Sequence, residues 1–120
     1  MALSIPQIVP FVVLAAIDAA NAHDTDEFLD VIATDGTVQH SGRAFAGVKQ
    51  IRAWSEQQFT ERRIQLTELR CTSDGAEHAV AGRVSGTGFA GLATLTFTIA
   101  DGLVSLMQVD SENGLWSVGA

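Results

Sequence analysis

His40 is the residue of this chain best suited to moving a proton. An imidazole has a reference pKa near 6.5, so it can give or take a proton around neutral pH. It closes the segment Thr37-Val38-Gln39-His40, and in an extended strand it shares a face with Val38. If Val38 belongs to the core, His40 points inward too. The competing reading is a histidine satisfied by a backbone carbonyl, or one at an exposed strand end. A base also needs an orienting or electrophilic partner. Asp110, with Gln108 on the same strand face and Glu112 just beyond, ends the last predicted strand and is the candidate. Against it, acidic side chains are seldom buried without a partner. Asp18, inside an apolar stretch, faces either a cavity or water.

Other chemistries find less support. His23, His40 and His78 occur singly, without HxH or HExxH spacing, so no metal site is expected. Cys71 is the only cysteine, which excludes an intrachain disulfide and a cysteine metal cluster. No glycine loop stands between a strand and a helix to cradle phosphate, and no serine has an identifiable base neighbour. No organic cofactor is expected.

Composition narrows the partners. The chain has 14 acidic and 7 basic residues, a formal net charge of −7, and no run of Lys or Arg. Such a surface repels nucleic acid and anionic membranes, so neither is an expected partner. With 47% hydrophobic and 18% charged residues in 120, residues 1–120 read as one folded domain. Ile5 to Ala22 is apolar, but Asp18 and Asn21 interrupt it before the roughly 20 residues of a membrane span. Ala20-Asn21-Ala22 resembles a signal cleavage site, yet no Lys or Arg precedes the apolar stretch. A first helix of the mature domain is the reading. The lone cysteine suits a reducing, cytoplasmic setting.

The elements that would position His40 follow from periodicity. Ile5, Ile8, Val12, Ala15, Ala16 and Ala19 recur at helical spacing, with Phe11 widening the stripe. A helix is expected over about residues 6–22, with Ser4 as cap, Pro6 in the first turn, and Pro10 kinking it or delaying its start. Asp24 and Glu27 form a capping pattern before a second helix over about 25–33. Asp35-Gly36 should turn into a short strand, Thr37 to His40, with Ser41-Gly42 a second turn. A third helix over about 47–59 carries Val48, Ile51, Trp54, Ser55 and Phe59 on one flank.

The period then changes from helical to alternating. Arg62 to Ser73, Glu77 to Thr87, Leu92 to Ile99 and Leu103 to Asp110 read as strands separated by Asp74-Gly75, Gly88 to Gly91 and Asp101-Gly102. Leu95, Phe97 and Ile99 face one way; Thr94, Thr96 and Thr98 face the other. Leu69 and Cys71 have the wrong parity relative to Ile64 and Leu66, which calls for a β-bulge near Thr67-Glu68. The expected class is α+β: three N-terminal helices packed on a curved antiparallel sheet.

Asn21-Ala22-His23-Asp24, Asp35-Gly36-Thr37-Val38, Gly47 to Arg52 with Trp54, and Asp101-Gly102-Leu103-Val104, in this order, resemble the nuclear transport factor 2-like superfamily. The resemblance is to its SnoaL-like and ketosteroid-isomerase-like branch, and it covers roughly residues 8–110. It implies a cone-shaped barrel with an internal pocket, and a homodimer paired through outer sheet faces. The Thr94, Thr96, Thr98 row could form such a face. The scaffold hosts isomerases, cyclases, hydrolases, dehydratases and non-catalytic modules. In the steroid isomerases an aspartate base maps onto His40. Their oxyanion donors, a tyrosine and a protonated aspartate, map near Ala16 and Leu95. The base position is titratable while both donors are replaced, which disfavours steroid isomerase chemistry by that route.

The expectation is a protein that binds a small apolar molecule in an internal pocket. Phe11, Ala16, Phe28, Val38, Trp54, Phe59, Leu95 and Phe97 would line it. His40 would be general acid or base, with Asp110 as its partner, in an isomerisation, cyclisation, dehydration or hydrolysis. The alternative is a non-catalytic ligand-binding or dimerising module. Aromatic residues at these spacings are also ordinary core.

Overall fold

The computed structural model describes residues 9–118. Pro10 sets the start of the first helix, α1 (Phe11–Ala22). It is extended, and its carbonyl accepts from the amides of Val13 and Leu14. The helix therefore begins at the delay its proline dictates, and the residues proposed to cap it lie outside the described residues. Val13, Ala16, Ile17, Ala19 and Ala20 are buried, whereas Phe11 is 79% exposed. His23 ends the helix in the left-handed conformation, φ 58°. No helix among the described residues is long and apolar enough to cross a membrane.

Asp24 caps α2 (Thr25–Asp30) by accepting from the Glu27 amide at 3.1 Å. The expected return bond from Glu27 is not made, because the Asp24 amide already donates to the Ala19 carbonyl at 2.9 Å. The helix also ends earlier than expected. Val31 and Ile32 are buried, and the Val31 carbonyl accepts from Val104 at 2.9 Å. Two β-branched residues thus gain more by joining the sheet than by extending a short helix.

That choice lengthens the first strand, β1, to Ile32–His40, with Asp35-Gly36 inside an irregularity of the strand rather than in a turn before it. Ser41-Gly42 turns the chain into β2 (Arg43–Ala46), a short edge strand the periodicity does not reveal. Helix α3 (Gly47–Ser55) runs into a π turn, Glu56–Glu61. Together they bury Ile51, Trp54, Ser55, Gln58 and Phe59, while Val48 lies outside. Strands β3 (Gln65–Asp74), β4 (Glu77–Gly86), β5 (Phe89–Ala100) and β6 (Leu103–Ser111) complete the sheet.

The sheet order is β2-β1-β6-β5-β4-β3, antiparallel except where β1 meets β6. It does not close. Edges at β2 and β3 make it a curved cone wall rather than a closed barrel, and the three helices cover its inner face. The bulge expected at Thr67-Glu68 is present: Thr67 pairs with Arg83 and Arg70 with Ala81, and Glu68 takes φ 53°. Gly82 sits opposite, where a Cβ would come within 2.6 Å of the Thr67 carbonyl oxygen. Only glycine lets the bulge close against β4. At the far edge of the sheet, Asn21 stands in for a strand neighbour. Its side chain accepts from the Leu66 amide at 2.7 Å and donates to the Leu66 carbonyl at 3.0 Å.

Candidate functional site around His40

Alternation along β1 places Val38 and His40 on the inner face, 0% and 2% exposed. The parallel partner β6 supplies Met107 and Val109 beside them, in register with Val38 and His40. From the helical side, α3 supplies Trp54 and the π turn supplies Gln58 and Phe59. Phe28 of α2 completes an aromatic cluster. Phe28 and Phe59 meet edge-to-face at 5.0 Å between centroids, and Trp54 and Phe59 at 5.1 Å. The inner end of this cluster is buried core.

The outer end is sealed by the chain's own C-terminal segment. After β6 a short 3₁₀ turn, Glu112–Gly114, reverses the backbone with Asn113 and Gly114 both at positive φ. Trp116 then folds back into the cone and is 1% exposed. Its ring meets His40 edge-to-face at 5.2 Å, and its indole N–H donates to Gln58 Oε1 at 2.9 Å. Its amide donates to Ser111 Oγ at 3.0 Å, and the Val118 amide donates to Ser41 Oγ at 3.0 Å. This strap is tied mostly through side chains rather than through a strand ladder.

The indole of Trp54 fixes the tautomer of His40. An indole N–H can only donate, and that of Trp54 lies 3.1 Å from His40 Nδ1. Nδ1 therefore accepts, and the ring proton sits on Nε2, which donates to the Trp116 carbonyl at 2.7 Å. Protonating Nδ1 would set two donors against each other. Burial, the largest influence, pushes the His40 pKa below 6.5, and the nearby positive charge of Arg62 lowers it further. The Trp116 carbonyl and the charge of Asp110 work in the opposite direction but do not win. At neutral pH His40 is an uncharged hydrogen-bond donor.

The structure brings together Phe28, Val38, His40, Trp54 and Phe59. Ala16, Leu95 and Phe97 belong to the same buried core. Phe11 does not join them, because it occupies the first, solvent-facing position of α1. Asp110 makes no hydrogen bond to His40. It pairs with Thr94 on the outer face, and its exposed carboxylate is turned away from the inner face that holds His40. The next residue, Ser111, has the parity that faces inward, and its hydroxyl reaches the Trp116 carbonyl at 3.3 Å.

Sequence reasoning missed Trp116, Gln58 and Ser111. A tryptophan just beyond Asn113-Gly114 is a usable signal, since so large a side chain after a turn needs burial. Gln58 falls on the inward stripe set by Ile51, Trp54 and Ser55 but is easily set aside because it is polar. Outside the sealed interior, a cleft of about 440 Å³ opens at the ends of β1 and β6. Its walls include His40, Arg43, Asp110, Ser111, Gly114 and Trp116. It leads directly onto the strap.

A family model described as the SnoaL-like domain matches residues 13–109. The strap lies beyond that span. A solved structure of a candidate polyketide cyclase from Sinorhizobium meliloti is 29% identical, with a TM-score of 0.79 over 85% of this chain and 95% of that one. A nuclear transport factor 2-like protein of unknown function from Cytophaga hutchinsonii shares the fold with a TM-score of 0.74 at 12% identity, covering 88% of this chain and 94% of that one. A candidate ketosteroid isomerase from Kribbella flavida does so at 0.73 and 20% identity, over 83% of this chain and 74% of that one. No protein of curated function is significantly similar in sequence.

Proposed function

Because the chain belongs to the SnoaL-like domain family, we propose that it binds a small apolar molecule inside the cone, in the space that Trp116 fills, with His40 as the polar group that meets it. One observation above all supports this reading. The Nε2–H of His40 is presented, neutral and braced by Trp54, to the main-chain carbonyl of Trp116, whose indole packs against the same imidazole. The strap supplies that carbonyl and that ring from within the chain. A ligand displacing it would find an aromatic wall and one aimed donor, the composition expected of a small-molecule site. Bound to a ligand carbonyl, His40 would act as general acid in an isomerisation, cyclisation, dehydration or hydrolysis. The tautomer makes it a donor first and a base second.

A second reading is non-catalytic binding. It is favoured by the engagement of both imidazole nitrogens and by the turn of Asp110 to the opposite face of the sheet. The two readings separate in a thermal-shift screen of compact apolar carbonyl, epoxide and polycyclic compounds on wild type and His40→Asn. A ligand at a hundredfold excess over its dissociation constant should add about 2.7 kcal/mol of stability. Hits that weaken in His40→Asn are expected. Conversion of a hit by wild type and not by the variant identifies an enzyme, and binding without conversion identifies a binding module. A library without hits would overturn the pocket.

We also propose a homodimer in the cytoplasm. The outer face of β5 carries Thr94 and Thr96 opposite Ala81 and Ala79 of β4, a half-buried patch of small side chains flanked by Asp110 and Arg70. A single free thiol, Cys71, suits a reducing compartment. Sedimentation of a monomer at micromolar concentration would remove the dimer.

A further inference from the structure

Arg62 closes the π turn that delivers Gln58 and Phe59 to the site. It lays its guanidinium over the Phe89 ring at 5.3 Å. Among the described residues, its Nη1 is the one buried side-chain nitrogen or oxygen with no hydrogen-bond partner. No carboxylate answers it either: the ion pairs among the described residues are Arg52 with Asp26 and Arg83 with Glu68, both at the surface. A buried donor left unmade is costly, and more so when it carries charge. Arg62 is also near enough to His40 for its charge to oppose protonation of the ring. Arg62 thus presents a cation without a carboxylate partner, directly after the turn that carries Gln58 and Phe59.

We infer that Arg62 receives an acidic group of the ligand, so that the site beneath the strap takes a flat apolar molecule bearing a carboxylate. This inference rests on the pocket reading given above. The planar fork of an arginine pairs a carboxylate through two parallel N–H donors, which an amide of the same shape cannot match. The aromatic cluster would hold the apolar body, and His40 Nε2–H would donate to an oxygen of the same ligand. The net charge of −7 works against the approach of an acid. Charges farther away than about 10 Å are largely screened at ordinary salt, however, whereas a half-buried guanidinium is not. The local cation decides.

The test compares 2-naphthoic acid with 2-naphthamide by calorimetric titration of wild type, Arg62→Gln and Arg62→Lys, each checked for folding by its melting transition. The acid is expected to bind wild type at least tenfold more tightly than the amide. That ratio should fall to about one in Arg62→Gln and recover in part in Arg62→Lys. Raising salt from 50 to 500 mM should shrink the ratio in wild type. Amide and acid binding wild type equally would overturn the role of Arg62 while leaving the pocket in place. A ratio that survives in a folded Arg62→Gln would do the same. Failure of both compounds to bind, together with an empty apolar screen, would overturn the pocket and Arg62 with it.

Discussion

Trp116→Ala is expected to lower stability by about 3–5 kcal/mol and, at the same time, to create a binding site. The first effect follows from removing a fully buried indole, whose loss costs transfer free energy and leaves a void. The substitution also leaves Gln58 Oε1 without its donor, a further cost of about 1–3 kcal/mol if water does not replace it. The second effect distinguishes a seat from ordinary core. A dry cavity of indole size walled by aromatic rings binds apolar molecules of matching shape. Indole or naphthalene added to Trp116→Ala should raise its melting temperature in a concentration-dependent way, and should do so far less in wild type. Chemical denaturation with and without indole makes the measurement. A variant destabilised as expected but indifferent to aromatic probes would mean that the space collapses and is no ligand seat.

His40→Ala is expected to cost about 3–5 kcal/mol at pH 7.5, because it strips partners from two buried groups at once. Those groups are the Trp54 indole N–H, left with no acceptor, and the Trp116 carbonyl, left with only the longer 3.3 Å bond from Ser111. The pH dependence of stability should change as well. His40 has a folded pKa below its unfolded value of 6.5, so between the two the unfolded chain binds more protons. Wild-type stability is then full above pH 6.5 and declines as pH falls from there toward the folded pKa. The slope from this group is at most about 1.4 kcal/mol per pH unit. Urea unfolding of wild type and His40→Asn at pH 7.5, 6.5 and 5.5 reads the difference. The variant should lose that component of the slope. Parallel curves would mean that His40 titrates freely and is not held neutral.

How much of this could be read from the chain differs by element. The bulge in β3 was legible because four apolar residues of conflicting parity admit one explanation, and the helical order was legible from capping and spacing. His40 was legible as an inward residue because alternation in a strand carries that information directly. The end of α2 was misread, since Val31 and Ile32 extend a helical pattern as well as they start a strand. Only their pairing with β6 decides. The hydrogen-bond partners of His40 were not legible for a related reason. Asp110 has suitable chemistry at the right strand end, but the parallel register of β1 on β6 puts Val109 beside His40 and turns Asp110 outward. The groups that do touch the imidazole come from α3 and from the strap, 14 and 76 residues away. Spacing along the chain holds no record of such contacts.

The two tryptophans give the most direct view of the site, since each indole N–H has its own buried acceptor, His40 Nδ1 for Trp54 and Gln58 Oε1 for Trp116. Their two indole resonances can be followed by ¹⁵N–¹H NMR while 2-naphthoic acid is added to wild type. Saturation is expected to move the Trp116 resonance to a solvent-like position with rapid hydrogen exchange, while the Trp54 resonance shifts but stays protected. Saturable binding that leaves the Trp116 indole protected and unshifted would place the ligand elsewhere, and Trp116 would then be part of the core and not the occupant of a site.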